Sequence, residues 1–256
     1  MSLLRIDSVY KNFGGLQALF DVSMNLEEGS ISALIGPNGS GKTTLFNVIT
    51  KIIPHDSGEI FFAGERIDQL PAYLIPARGI ARTFQIVSLF RESLVWENVA
   101  SGAFSKTRAG ILSILFRIPR MRAEERRIKE RTMEIIRYLG IEQLAERPAG
   151  MLPFGQQRLV ELGRALISEP NMVLLDEPFS GLNPHESEIL QEKVLEIRNQ
   201  GITVLFVEHE MKTVMKLADR ITVLNFGQKI AEGSPDEIRN NPQVIEVYLG
   251  KETEIV

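Results

Sequence analysis

Eight consecutive residues, Gly36-Pro37-Asn38-Gly39-Ser40-Gly41-Lys42-Thr43, constrain this chain more than any other segment. They follow a short apolar run, Ser30 to Ile35, and open a stretch of helical pattern, Thr43 to Ile49. Strand, glycine-rich loop and helix in that order form a phosphate-binding loop. The glycines let successive backbone N–H groups turn inward, and the helix adds the positive end of its dipole. Lys42 is then placed to reach β- and γ-phosphates, Thr43 to offer its hydroxyl to Mg²⁺, and Thr44 to donate to an α-phosphate. At average residue frequencies the pattern arises by chance in roughly 1 in 100 chains of this length. The strand and helix on either side lower that further.

Such a loop needs a sheet beneath it, and 256 residues of which 44% are hydrophobic can supply one. Met172 to Leu175 and Thr203 to Val207 are continuous apolar runs, as in strands buried on both faces. Pro184 to Asn199 reads as a helix ended by Gly201, and Ile221–Leu224 with Gln228–Ala231 reads as a closing hairpin through Asn225-Phe226-Gly227. Near the start, Ile6 to Val9 reads as a strand, with turns at Lys11-Asn12-Phe13-Gly14-Gly15 and Glu28-Gly29. From about Arg91 to Leu152 helical signals dominate, notably Ala123 to Leu139, and a further helix runs from Gly155 to about Ile167. The net charge of −4 gives no global field for nucleic acid, and the absence of cysteine removes disulfides and thiolate chemistry. No stretch reaches the roughly 18 apolar residues of a membrane span.

A second motif completes the chemistry. Met172-Val173-Leu174-Leu175 runs into Asp176-Glu177-Pro178, an apolar strand that ends in two carboxylates. Asp176 can hold Mg²⁺ through water opposite Thr43, and Glu177 can polarise a water for attack on a γ-phosphate.

With both motifs placed, the chain resembles the ABC transporter ATPases over nearly its whole length. Thr83-Phe84-Gln85 matches the family's Q-loop, and Leu152-Pro153-Phe154-Gly155-Gln156-Gln157-Arg158 its signature segment. Ser180-Gly181-Leu182-Asn183-Pro184 matches the D-loop, Glu208-His209-Glu210 the switch histidine, and Phe13 the aromatic that faces adenine. The resemblance implies an α/β P-loop NTPase core with a mainly parallel sheet, antiparallel β elements and an inserted helical subdomain. It implies one domain over residues 1–256: core lobe 1–87 and 158–232, helical subdomain 88–157 and C-terminal tail 233–256.

For the site, the resemblance implies ATP held by Phe13, Gly36, Pro37, Asn38, Gly39, Ser40, Gly41, Lys42, Thr43 and Thr44 of one chain. Phe154, Gly155 and Gln156 of a second cassette, identical or different, would cover it. Mg²⁺ would be held by Thr43, Gln85 and Asp176, and hydrolysis would rest on Glu177, His209, Lys42 and Gln85. Transmembrane permease subunits are the implied partners, with a periplasmic or extracellular binding protein acting indirectly and no nucleic acid. The implied place is the cytoplasmic face of the membrane.

Two departures stand out: Pro153 and Phe154 replace the serine and first glycine of the usual signature, and Asn183 replaces an aspartate. A Leu-Pro-aromatic-Gly-Gln segment resembles the ATPases of branched-chain amino acid importers. The competing readings are an exporter or lipid-extracting ATPase and a non-transport ATP-binding module. Between Lys106 and Arg131 nine lysines and arginines face three acids in an otherwise acidic chain. That basic segment is expected to meet the membrane partner or an anionic leaflet.

Overall fold

The computed structural model describes residues 2–103 and 119–249. Two sheets organise them. The first is antiparallel, in the order β2-β1-β4-β5, from β1 (Ser2–Phe13), β2 (Leu16–Glu27), β4 (Ser57–Phe62) and β5 (Glu65–Arg66). The second has the order β10-β9-β3-β8-β7-β6. Its strands are β3 (Ile31–Ile35), β6 (Ile80–Arg82), β7 (Met172–Asp176), β8 (Thr203–Val207), β9 (Arg220–Asn225) and β10 (Gln228–Gly233). All neighbours in it are parallel except the β9–β10 hairpin.

Side chains alternate across the second sheet with a period of two, so each strand feeds two cores. Ala33, Val173, Val204, Phe206 and Ile221 join one apolar cluster. That cluster includes Val95 and Val99 of α2 (Val95–Ser101) and Ile135 and Ile136 of α3 (Pro119–Tyr138). It continues through Val160 of α4 (Phe154–Leu166), Val194 of α5 (Pro184–Asn199) and Val214 of α6 (Met211–Leu217). Ile238 of α7 (Pro235–Arg239) and Val244 of α8 (Pro242–Leu249) close it. Leu34, Leu174, Leu205 and Val207 point the other way, into a cluster shared with α1 (Lys42–Ile49) and the antiparallel sheet. Helix α1 therefore packs between both sheets, through Leu45, Phe46, Val48 and Ile49.

One local reading is corrected. Lys11, Asn12 and Phe13 do not belong to a turn; they extend β1, and the turn is confined to Gly14 and Gly15. The physical reason is pairing: Asn12 and Phe13 sit opposite Gln17 and Leu16, and Lys11 Nζ donates to Asp56 at 2.9 Å. Strands β4 to β6 carry no clear period in the sequence and were not anticipated. Within the basic segment, residues 106–118 lie outside those described, and the remainder belongs to α3.

Candidate active site

Strand order delivers the site. β3, β8, β7 and β6 are parallel neighbours, so their carboxyl ends open along one edge, where ligands bind in open α/β sheets. The phosphate loop leaves β3, Gln85 follows β6, Glu177 follows β7 and His209 follows β8. Register tightens this: Val207 lies opposite Leu34 on one side and Asp176 on the other. The phosphate loop and the acidic pair start from a common rung, two strand spacings or about 10 Å apart.

The phosphate loop is shaped by its neighbours. Gly41 caps α1 with φ of 102°, and a Cβ there would lie 2.6 Å from the Ala18 carbonyl oxygen, so angle and space both demand glycine. The β9–β10 turn acts as a splint: Gly227 N–H donates to Ser40 O at 3.1 Å, and Phe20 N–H donates to Gly227 O at 2.8 Å. Lys42 curls over the loop and donates to the carbonyls of Gly36 (2.7 Å) and Pro37 (3.0 Å). Ser40 Oγ is buried without a hydrogen-bond partner. An unsatisfied buried hydroxyl costs about 1–3 kcal/mol, and a phosphate oxygen is the kind of acceptor that offsets it. Thr43 and Thr44 sit in the first turn of α1, while Asn38 and Gly39 lie exposed at the crest of the loop. Phe13 stands 48% exposed at the tip of the β1–β2 hairpin, with Lys11 Nζ 5.3 Å from its ring centroid. An open aromatic face is what stacking on a base requires.

Three of the expected catalytic side chains meet. Glu177 Oε1 lies 2.6 Å from His209 Nε2, and Glu177 Oε2 accepts from Gln85 Nε2 at 2.8 Å. An ionised carboxylate only accepts, so Nε2 is the histidine nitrogen that carries the proton. Glu177 itself has φ of 47°, the left-handed region, which costs a residue with a Cβ about 1–2 kcal/mol. Its N–H donates to Val207 O at 3.0 Å, which fixes that strained turn at the end of β7.

Behind this cluster lie buried charges whose roles sequence reading missed. Glu208 accepts from the N–H of Phe179 (3.0 Å) and of His209 (2.9 Å), joining the residue before the D-loop to the switch histidine. Arg158 of α4 donates to the carbonyls of Phe84 (3.0 Å) and Gln85 (2.8 Å) and to Glu161 Oε2 (3.2 Å). Burial pushes the Glu161 carboxyl up, against the pull of Arg158. Arg82 donates to Asp176 Oδ2 at 2.9 Å, with both side chains buried. The available signal was a charge inside an apolar run, as in Ile80-Ala81-Arg82, because a buried charge demands a partner.

The signature departures find places. Pro153 precedes α4 at its N-cap, with no side-chain cap and no acid in the first turn. The Phe154 ring packs against Gly181 of the D-loop, 3.1 Å from where a Cβ would stand, and the Arg158 guanidinium lies 5.1 Å from its centroid. A Cβ on Gly155 would meet the Glu186 carboxylate at 2.6 Å and displace it. Gln156 follows in the same turn of α4. Asn183 caps α5: its side chain accepts from Glu186 N–H at 3.0 Å and Glu186 returns the bond to Asn183 N–H at 3.1 Å.

The donor set of Thr43 hydroxyl, Gln85 amide oxygen and Asp176 carboxylate is all oxygen, which suits Mg²⁺. Among the described residues no group of three or more His, Cys, Asp or Glu could hold a metal alone. That agrees with Mg²⁺, which is usually held by one or two carboxylates together with substrate phosphates and water.

The ABC transporter family model matches residues 19–180, and a model described as branched-chain amino acid ATP-binding cassette transporter matches residues 228–254. The chain is 41% identical over 250 residues to the high-affinity branched-chain amino acid transport ATP-binding protein LivG of Salmonella typhimurium, covering 97% of this chain and 98% of that protein. It is 39% identical over 250 residues to the corresponding BraF protein of Pseudomonas aeruginosa, with the same coverage. Among solved structures, a nucleotide-free ATP-binding cassette from an ABC transporter superposes with a TM-score of 0.85 at 37% identity, covering 97% of this chain and 99% of that one. A cassette in its ADP conformation superposes with a TM-score of 0.84 at 35% identity, covering 98% and 99%.

Proposed function

The chain belongs to the ABC transporter family of ATP-binding cassettes, and on that premise we propose that it hydrolyses ATP to drive an importer of branched-chain amino acids. The cargo rests on relatives of that description that match almost end to end, and on the matching C-terminal segment. The hydrolytic role is carried by one observation, the meeting of Gln85, Glu177 and His209 where β6, β7 and β8 end.

In this reading the loop from Gly36 to Thr43 wraps the phosphates, Lys42 leaves its two carbonyls for the β- and γ-phosphate oxygens, and Phe13 stacks on the base. Thr43, Asp176 and Gln85 are the residues that would hold Mg²⁺, which when bound neutralises charge on the β- and γ-phosphates. Glu177 retains lone pairs beyond those used by Gln85 and His209, and one of them accepts the attacking water. His209 Nε2–H and the Gln85 amide fix the carboxylate in one orientation, which is the larger part of catalysis by positioning. The uncapped N-terminus of α4, with Phe154, Gly155 and Gln156, faces the γ-phosphate bound by a second cassette, where its N–H groups and dipole favour the anion. Arg158 ties α4 to the Q-loop.

Permease subunits supply the membrane crossing, since no helix among the described residues is long and apolar enough to span a bilayer. Their docking place is the cleft of about 380 Å³ between the core and the helical segment, lined by Ile52, Ile75, Phe84 and Arg164. Ile86 and Phe90, at 81% and 61% exposure, extend its apolar rim. The chain then works peripherally at the cytoplasmic face.

The test is Glu177→Gln. ATP binding is expected to persist, hydrolysis to fall at least about 100-fold, and a closed dimer to accumulate on size exclusion. Turnover at the wild-type rate would remove Glu177 from its role.

A further inference from the structure

Arg82 is a charged residue at the end of an edge strand, and its guanidinium is committed in three directions. Nη2 donates to Asp176 Oδ2 at 2.9 Å. Nη1 donates to Asn47 Oδ1 of α1 at 2.8 Å and to Oγ1 of Thr50, the residue that caps its C-terminus, at 3.0 Å. Its carbon lies 5.1 Å from the Phe84 ring centroid and 5.5 Å from that of Phe46, within cation–π range of both. The side chains of Arg82 and Asp176 are 7% and 4% exposed.

Register explains why they meet. Arg82 lies opposite Leu174, and Asp176 is two residues further along β7. Both side chains leave the sheet on the face that α1 covers, the face that Ile80 and Leu174 also share. One side chain thus joins the helix that carries the phosphate loop, the strand that ends in Asp176, and the aromatic that precedes Gln85.

We propose that Arg82 is a positioning residue for the metal-holding carboxylate. It holds Asp176 by Oδ2, presents Oδ1 to the metal's water shell, and locks that carboxylate to α1, where Thr43 supplies the hydroxyl. The proposal rests on the reading of Asp176 as a Mg²⁺ residue. Groups that hydrogen-bond a metal-holding carboxylate commonly change metal affinity by about 10–100-fold when removed. Charge alone predicts the opposite sign, because deleting Arg82 removes a cation that repels Mg²⁺. The two effects are therefore separable by direction.

The experiment measures the affinity of a fluorescent ATP analogue for the full chain, first in EDTA and then across a Mg²⁺ titration. Arg82→Gln is expected to keep its metal-free affinity within about twofold and to raise the Mg²⁺ half-saturation about tenfold. Arg82→Lys keeps the charge but cannot fork, and falls between it and the wild type. Asn47→Ala leaves Arg82 in place and removes one anchor, with an expected rise of about two- to threefold. It touches neither nucleotide nor metal, so it decides the matter if Arg82→Gln does not fold. Asp176→Asn is the benchmark and loses most of the Mg²⁺ effect. If Asp176→Asn behaves so while Arg82→Gln and Asn47→Ala match the wild type, or bind Mg²⁺ more tightly, the role of Arg82 is overturned and that of Asp176 stands. If Asp176→Asn titrates like the wild type, the reading of Asp176 itself fails.

Discussion

Glu208 lies behind the cluster of Gln85, Glu177 and His209 with both oxygens on backbone N–H groups, and burial works against its ionisation. Burial pushes its carboxyl above the ordinary glutamate value, against hydrogen bonds from His209, Phe179 and Glu210 and with the charge of Glu177 adding to the rise. A carboxyl whose pKa is raised by folding binds its proton more tightly in the native state. The stability it contributes is complete below the unfolded value and is lost as pH rises through the folded value. Glu208→Gln removes that titration. The wild type should therefore lose stability relative to the variant as pH rises out of the ordinary glutamate range and through the raised folded value, read from urea midpoints; a pH-independent difference would count against the buried charge. Phe13 calls for another measurement. Base–aromatic stacking is worth about 1–3 kcal/mol, so Phe13→Ala should weaken ATP roughly 5- to 150-fold. Inorganic triphosphate, which lacks the base, should bind the variant and the wild type alike, and an equal loss for both ligands would mean that Phe13 only shapes the hairpin.

At the scale of elements, sequence reading succeeded wherever a segment satisfied itself locally. Helix α5 starts at Pro184 because Asn183 and Glu186 close a capping box, and β7 and β8 are legible because both faces of each are buried. It failed where partners are distant. Lys11 to Phe13 look like a turn until Asp56, far along the chain, is seen to hold them in β1. The phosphate loop announces its own conformation, whereas the bracing by Gly227 and the grip of Arg82 on Asp176 join residues far apart in the chain. The signature segment mixes both kinds. A Cβ at Gly155 would displace the Glu186 carboxylate, and Glu186 is also the second half of the α5 cap. Asn183→Ala should therefore cost about 1 kcal/mol through the lost cap. Gly155→Ala should cost a similar amount by driving Glu186 away from Asn183 N–H. Because the two bonds are halves of one capping box, the double variant should cost less than the sum in denaturation experiments, and strict additivity would refute the shared cap.

The molecule keeps its two cores on opposite sides of one sheet. The phosphate loop and α1 belong to one core and the signature helix α4 to the other. Arg82 binds α1 to the end of β7 on the first side, and Arg158 ties α4 to the Q-loop at the edge where Gln85, Glu177 and His209 meet. Helix α3 lies on the α4 side and carries the described part of the basic segment. Its cations divide by partner: Lys129 sits 5.4 Å from the Trp96 ring centroid and Arg131 pairs with Glu134 at 2.8 Å. Arg126 and Arg127 are exposed. Among the described side chains of the basic segment these two are open to a surface outside the chain, and each such charge near an anionic leaflet is worth about 1 kcal/mol. Reversing both, as Arg126→Glu with Arg127→Glu, changes four units of charge at a site remote from the nucleotide. Binding of the fluorescent ATP analogue to the isolated chain should stay as in the wild type. Retention on membranes that carry the permease should weaken, with elution at lower salt because screening is stronger for exposed charges. Retention and salt profile identical to the wild type would show that α3 faces solvent in the assembled transporter.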